Sequence, residues 1–121
     1  MSVHRIAGVA YLKVDGQAYP MRGKFKYTAN RRKREGIVGQ DGPHGYKEMP
    51  VIPSISGDVS DMPGMRVQDL EKITNATIQL ELANGKIVVL SQAWWSDASE
   101  VDTEEGSFPV KFEGMECAEV L

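Results

Sequence analysis

Cysteine is almost missing from this chain. The one present, Cys117, excludes an internal disulfide framework and a cysteine-based zinc site. Two histidines, His4 and His44, are too few for a histidine-rich metal centre. No apolar run approaches the roughly 18–20 residues that a membrane span needs, and the opening residues lack the apolar stretch of a secretory signal. An excess of positive charge is missing too. Fourteen Lys and Arg against 17 Asp and Glu leave a net charge of −3, which argues against a dedicated nucleic-acid binder. What is present is ordinary for a globular protein: 121 residues, 41% hydrophobic and 26% charged. That length supports one core, so one domain over residues 1–121 is expected.

The chain reads as short strands joined by tight turns. Residues 9–14 and 18–28 flank Asp15-Gly16, a pair that suits the type I′ hairpin turn because both central residues need positive φ. A two-residue loop sets Val14 opposite Gln17, Leu12 opposite Tyr19 and Ala10 opposite Met21, so Ala10, Leu12, Tyr19 and Met21 share one apolar face. The second strand continues with Tyr19, Met21, Phe25 and Tyr27 on one side and Arg22, Lys24 and Lys26 on the other. Pro20 has no N–H to give to a ladder, which places it at an unpaired edge or a bulge.

A second hairpin is predicted over residues 76–94 around Asn84-Gly85. Read with the same two-residue loop, Leu82 faces Ile87 and Leu80 faces Val89, and Ile78 completes the core face. The opposite face then sets Glu81 against Val88 and Gln79 against Leu90. A solvated face would carry polar residues at both aliphatic positions. Two readings stay open: another part of the same chain covers Val88 and Leu90, or a neighbouring subunit does. Between the hairpins, Val67, Leu70 and Ile73 recur at helical spacing and predict a short amphipathic helix over residues 65–73. Phe108, Val110 and Phe112 alternate with Pro109, Lys111 and Glu113 in a further strand, with residues 115–120 as its expected partner after Gly114. The expected fold is mainly β: a small sandwich or barrel with one short α-helix and a long glycine-rich loop.

Candidate chemistry is scarce. Arg31-Arg32-Lys33-Arg34 is the most conspicuous charge run, but nucleic-acid binding wants aromatic platforms beside it. Phe25 and Tyr27 alternate onto the core face, which leaves Trp94-Trp95 as the aromatics of an alternative reading, a small nucleic-acid-binding β-barrel. As neighbours in a strand, those two rings point to opposite faces. Gly36, Gly39, Gly42 and Gly45 follow the basic run at every third residue, too few repeats for collagen and without the Lys-Ser/Thr of a phosphate loop. They mark a long, mobile loop. His44 beside Asp41 has no nucleophile at fixed spacing, so no catalytic residue is assigned. Asp97, Glu100, Asp102, Glu104 and Glu105 form an acidic stretch whose glycine, Gly106, comes after the carboxylates rather than among them, unlike a calcium loop. No metal or cofactor site follows. Asn75-Ala76-Thr77 fits a glycosylation sequon, without the secretory context that would give it meaning.

Charge is unevenly distributed. Residues 1–60 hold ten basic and five acidic side chains, a net of +5; the rest hold four and twelve, a net of −8. A small domain with one basic and one acidic half suits head-to-tail self-association, the geometry of rings and filaments.

Three stretches together resemble a known family. They are Gly8-Val-Ala-Tyr-Leu-Lys-Val-Asp-Gly16; Arg34-Glu35-Gly36 with Gly39-Gln-Asp-Gly42-Pro-His-Gly45-Tyr46, Glu48-Met-Pro50 and Pro53-Ser-Ile55; and Asn75-Ala-Thr77 through Leu82-Ala-Asn84-Gly85. An acidic turn and a closing strand follow. In that order, over residues 8–114, they resemble the tail tube proteins of contractile-tailed, Mu-like phages. The resemblance implies a β-sandwich-like subunit, rings of six whose sheets join into an inner barrel, and stacked rings that form a hollow tube. It implies a virion tail component, assembled in the host cytoplasm, with no enzyme activity and no cofactor. Its partners would be its own copies, a contractile sheath and baseplate or terminator proteins. DNA would pass through without specific binding, so a neutral or acidic lumen is expected, with the basic run turned elsewhere. By the same resemblance residues 31–46 are the loop that joins subunits and rings. From the opposed charge runs and the aliphatic face, the subunit interface is expected at Arg31, Arg32, Lys33, Arg34, Val88, Leu90, Asp97, Glu100, Asp102, Glu104 and Glu105. The basic run is expected to dock near the acidic stretch of an adjacent subunit.

Overall fold

The computed structural model describes residues 9–64, 66–98 and 100–121. Within them the chain forms strands β1 (Val9–Val14), β2 (Gln17–Tyr19), β3 (Met21–Thr28), β4 (Arg32–Gly39), β5 (Gly42–Pro50) and β6 (Ser54–Ser60). One helical turn, α1 (Val67–Leu70), precedes β7 (Ala76–Leu82), β8 (Ile87–Trp95), β9 (Ser107–Glu113) and β10 (Glu116–Val120). Eight strands make one sheet in the order β2-β1-β7-β8-β9-β6-β3, with β10 also on β8. The ribbon β4-β5 stands apart.

Strand β8 organises the body. It pairs with β7 along one edge. On the other edge its first half pairs with β10, from Val120↔Ile87 to Glu116↔Ser91, and its end pairs with β9 through Trp94↔Glu113 and Trp95↔Phe112. Between the two halves Gln92 sits at φ 51, a left-handed backbone at a bend. A strand that changes partners at a bend lets one sheet turn over onto itself. The result is a nearly closed, barrel-like body. Its interior holds Leu12, Ile55, Val59, Ile78, Leu80, Phe108 and Phe112, with no buried polar or charged side chain among the described residues.

The first turn forms as expected. Asp15 and Gly16 have φ of 51 and 85, and Leu12↔Tyr19 and Val14↔Gln17 pair in the register read from sequence. The strand beyond it does not continue. β2 ends at Tyr19, and Met21 pairs with Val59 of β6 rather than with Ala10. Pro20 is the crossing point, as its missing N–H requires: it leaves the ladder, and its carbonyl accepts the Ser60 N–H at 2.9 Å. Tyr19, Met21, Phe25 and Tyr27 all pack against the core, as their alternation predicts. The side chains of Ala10 and Lys24 lie outside the described residues.

The second hairpin corrects the expected register. Leu80 pairs with Val88, and Ile78 with Leu90. Leu82 N–H donates to the Lys86 carbonyl at 2.9 Å and Gly85 N–H to the Leu82 carbonyl at 3.0 Å, so the loop has three residues, Ala83-Asn84-Gly85. Gly85 alone takes the left-handed position, φ 95. This is the tight turn followed by a one-residue bulge, and a slip of one residue turns every side chain of β8 over. Val88 and Leu90, expected at a subunit interface, are 0% exposed inside their own chain. Ile87 and Val89 take the outward face instead.

Three further expectations change. The helix is a single turn; Leu70 is buried while Val67 and Ile73 pack against the core, and Met65 lies outside the described residues. β9 forms with Phe108, Val110 and Phe112 inward, but β10 pairs with β8 rather than with β9. Gly114 permits this, because a Cβ there would sit 2.8 Å from the Ser91 carbonyl oxygen, and without one the chain presses onto β8. The glycine-rich segment is not a loop. From Arg32 onward the segment 31–46 belongs to the β4-β5 ribbon, which turns at Gln40 and Asp41 and continues to Pro50.

Candidate assembly surface

The β4-β5 arm contributes nothing to the core. Every residue from Arg32 to Val38 is exposed, and β5 is exposed from Pro43 to Glu48. The chain lacks the alternation of a half-buried strand here because neither face of the ribbon is covered. A two-stranded hairpin alone in water is marginally stable. This one is held by cross-strand side chains. Arg34 Nε is 3.1 Å from Glu48 Oε1 and Arg32 Nη1 is 3.3 Å from Glu48 Oε2, while Lys47 reaches Glu35 at 3.8 Å. The Arg34 guanidinium also stacks over the Tyr46 ring at 5.4 Å. At the tip, His44 Nε2 lies 2.5 Å from the Asp41 carboxylate, fully outside the body.

At the root, Val51 N–H donates to the Arg31 carbonyl at 2.8 Å, and the Arg31 guanidinium pairs with Glu116 on β10. A second cluster on β10 ties parts of the body together. The Tyr27 hydroxyl donates to Glu119 at 2.8 Å, and Lys86 pairs with the same carboxylate. The Lys86 ammonium, as hydrogen-bond donor, holds the Glu119 carboxyl below the usual carboxylate range, and Tyr27 adds to it. Reciprocally, Glu119 and then Tyr27 raise the Lys86 amine.

The basic run is therefore mostly neutralised within its own chain. Arg31, Arg32 and Arg34 have carboxylate partners; Lys33, opposite Met49, has none among the described residues. The acidic stretch is a folded turn at the far end of β9. Asp102 accepts the Glu104 and Glu105 N–H groups, each at 3.0 Å, and bridges to Ser107. Asp97, at φ 66, pairs with Lys111 at 3.9 Å, and Glu105 pairs with Arg22 at 3.6 Å. Glu100 and Glu104 point to solvent. Within one chain the basic run and the acidic turn do not meet.

What the arm shows to solvent besides charge is apolar: Val38 is 78%, Tyr46 60% and Ile37 44% exposed. These residues were missed in the sequence, because a strand with both faces open carries no hydrophobic period. The aromatic pair behaves as adjacent strand residues should. Trp95 packs edge-on against Phe112 in the core, with ring centroids 5.4 Å apart, which removes it as a stacking platform. Cys117 is half-buried, and burial raises its thiol pKa, the reverse of an activated nucleophile. Among the described residues no cluster of His, Cys, Asp and Glu is placed to hold a metal ion, and no helix is long and apolar enough to cross a membrane.

Comparison with known proteins agrees with this architecture. The model of the phage tail tube protein family matches residues 3–119. The Mu-like prophage FluMu tail tube protein of Haemophilus influenzae is 26% identical over 113 residues, covering 93% of this chain and 94% of that protein. Two solved structures share the fold at 12% identity. The PVC sheath/tube terminator of an extracellular contractile injection system has a TM-score of 0.65 over 92% of each chain. The tube-terminating cap of the anti-feeding prophage has a TM-score of 0.63 over 99% of this chain and 94% of its own. The chain belongs to the phage tail tube protein family and is a structural component of the virion tail, not an enzyme.

Proposed function

We propose that this protein polymerises into the inner tube of a contractile tail, as stacked rings of six subunits that conduct DNA during ejection, with the β4-β5 arm as the element that joins copies. One observation carries the reading: a ribbon of two strands, exposed on both faces and ending in Ile37, Val38 and Tyr46, projects from a body whose core is complete without it. Such a ribbon is stabilised when a further surface covers it. Family membership and the fold shared with tube terminators support copies of the same chain as that surface. Sheath and baseplate or terminator proteins are the remaining partners in this reading, met in the host cytoplasm during assembly. Charge has a smaller part. Lys33 and the outward carboxylates Glu100 and Glu104 are free to steer one copy's arm toward another's acidic turn, and exposed pairs contribute only about 0–1 kcal/mol each.

Negative-stain microscopy of the purified chain across a range of concentrations tests the proposal. Rings or hollow tubes are the expected outcome. Particles that stay monomeric at every concentration, with and without a chemical cross-linker, overturn it. DNA serves as a second arm of the test. A conduit must let DNA slide, so duplex binding by assembled protein should be weak. A tight, strongly salt-dependent complex would reveal counterion release and favour the nucleic-acid-binding reading built on residues 31–34.

A further inference from the structure

The two outward faces of the body differ in kind. On β6 and β9 the outward residues are polar apart from Pro109, with Ser54 opposite Glu113, Ser56 opposite Lys111 and Asp58 opposite Pro109. On the other layer the registers line up two rows across four strands. One row runs Tyr11, Glu81, Ile87, Val120; the next runs Lys13, Gln79, Val89, Ala118. The charged members of these rows, Lys13 and Glu81, pair with each other at 3.4 Å. The rest is neutral and largely aliphatic. Tyr11 is 56% and Val120 49% exposed. A sheet face that met only water would carry polar residues at Ile87, Val89, Ala118 and Val120.

We infer that this face receives the arm tip of a second copy, with Val38 and Tyr46, which share one face of the ribbon, packed across β8 and β10. The inference rests on the reading of the arm as the joining element and adds the surface that the arm meets. Three observations select the arm as occupant. Its apolar tip has no partner surface in its own chain, since both strands are exposed along their length. Its dimensions fit: strands of eight and nine residues reach about 30 Å, and four strands spaced about 4.8 Å apart make a face about 20 Å wide, so the ribbon can lie across all four. The charges do not oppose it. The arm and its root carry Arg31, Arg32, Lys33, Arg34 and Lys47 against Glu35, Asp41 and Glu48, while the face is self-neutralised and bordered by Glu116.

A ribbon about 10 Å wide laid across a face about 20 Å wide covers about 200 Å² on each copy, or about 400 Å² in total, below the roughly 1,200 Å² of a stable pair. A single contact therefore does not hold a dimer, and the contact becomes stable only where an assembly repeats it.

Disulfide trapping tests this directly. In full chains carrying Cys117→Ser, one preparation receives Val38→Cys and the other Ala118→Cys, both exposed positions that leave the core untouched. Oxidising the concentrated mixture should give a cross-linked dimer several-fold above either preparation alone. Val38→Glu and Ala118→Lys should each reduce assembled mass at least tenfold, and the two together in one chain should restore much of it. If Val38→Glu blocks assembly while Ala118→Lys assembles normally and the mixture shows no excess cross-link, the receiving face is wrong and the arm reading stands. If Val38→Glu and the wild type assemble equally, both are wrong.

Discussion

The body and the arm of this protein are stabilised by different physics. In the body, Ile55, Ile78, Val88, Leu90 and Ala93 are completely buried, and no charged side chain among the described residues is buried. The arm buries no large side chain, and its strands are held by a backbone ladder, three ion pairs of exposed or half-exposed groups and one stacked Arg34–Tyr46 contact. Burial is worth about 25 cal/mol per Å² of apolar surface, whereas exposed ion pairs contribute little. The core of the body is therefore complete within one chain, and in the proposed reading the arm is completed by a second copy. On that reading stability and assembly reside in separate parts of one chain, so mutations should separate them.

The largest effect belongs to the body. Changing Val88 and Leu90 together to Lys buries two charges in the core and should abolish the cooperative unfolding transition seen by circular dichroism. Leu90→Ala alone should cost about 2–5 kcal/mol. A well-folded double-Lys variant would break the comparison by showing that these residues are not core.

Next comes removal of the arm. Replacing residues 32–50 with a short Gly-Asn turn should leave a body that melts within about 4 °C of the parent, a shift of about 0.5–1 kcal/mol for a domain of this size. Rings and tubes should disappear from the same preparation. Unfolding of the shortened chain would mean that the arm is part of the folding unit.

A smaller effect is expected from charge. Lys33→Glu leaves the in-chain pairs of Arg31, Arg32 and Arg34 intact, so it isolates the steering contribution between copies. It should slow assembly in low salt and lose its effect at about 0.5 M, where screening falls below the length of a side chain. Glu104→Lys in the same chain should recover part of the rate. Equal assembly rates for all three proteins in low salt would remove charge from the account of arm docking.

The smallest effect lies at the Glu119 cluster on β10. Glu119 has its carboxyl lowered by Lys86 and Tyr27, so the stability it supplies is present above the ordinary carboxylate range and lost as pH falls through the lowered value. Lys86 has its amine raised, so its share is present at neutral pH and lost as pH rises through the raised value. Glu119→Gln should lower the melting temperature slightly at pH 7, by a difference that shrinks as pH falls through the lowered carboxyl value. A difference that stays constant across the acid range would assign the effect to packing rather than to charge.

The two hairpins show how far local sequence reaches. At Asp15-Gly16 the flanking strands alternate, with Leu12 and Tyr19 inward and Lys13 and Ala18 outward, so turn and pattern agree on one register. At Asn84-Gly85 the residues 87–90 are all aliphatic, and either register places a hydrophobic face toward the core. The same glycine serves a two-residue or a three-residue loop. Nothing local separates them, and the tertiary fold chose the one that buries Val88 and Leu90. The reasoning that a solvated face should not be aliphatic passes, in the proposed reading, to Ile87 and Val89.

The sequence by itself determined a β-rich body, its first turn, the break at Pro20, the inward set of β9 and the family, because each rests on alternation, turn chemistry or an ordered series of short stretches. Only the tertiary structure decided that β10 joins β8 through Gly114, that the glycine-rich segment is a ribbon, and how the charges are spent. Along the chain the halves look oppositely charged. In space Lys13–Glu81, Arg22–Glu105 and Arg31–Glu116 join one half to the other. Charge along a chain counts residues, whereas electrostatic energy depends on distances, and those distances are set when the sheet turns over onto itself at Gln92.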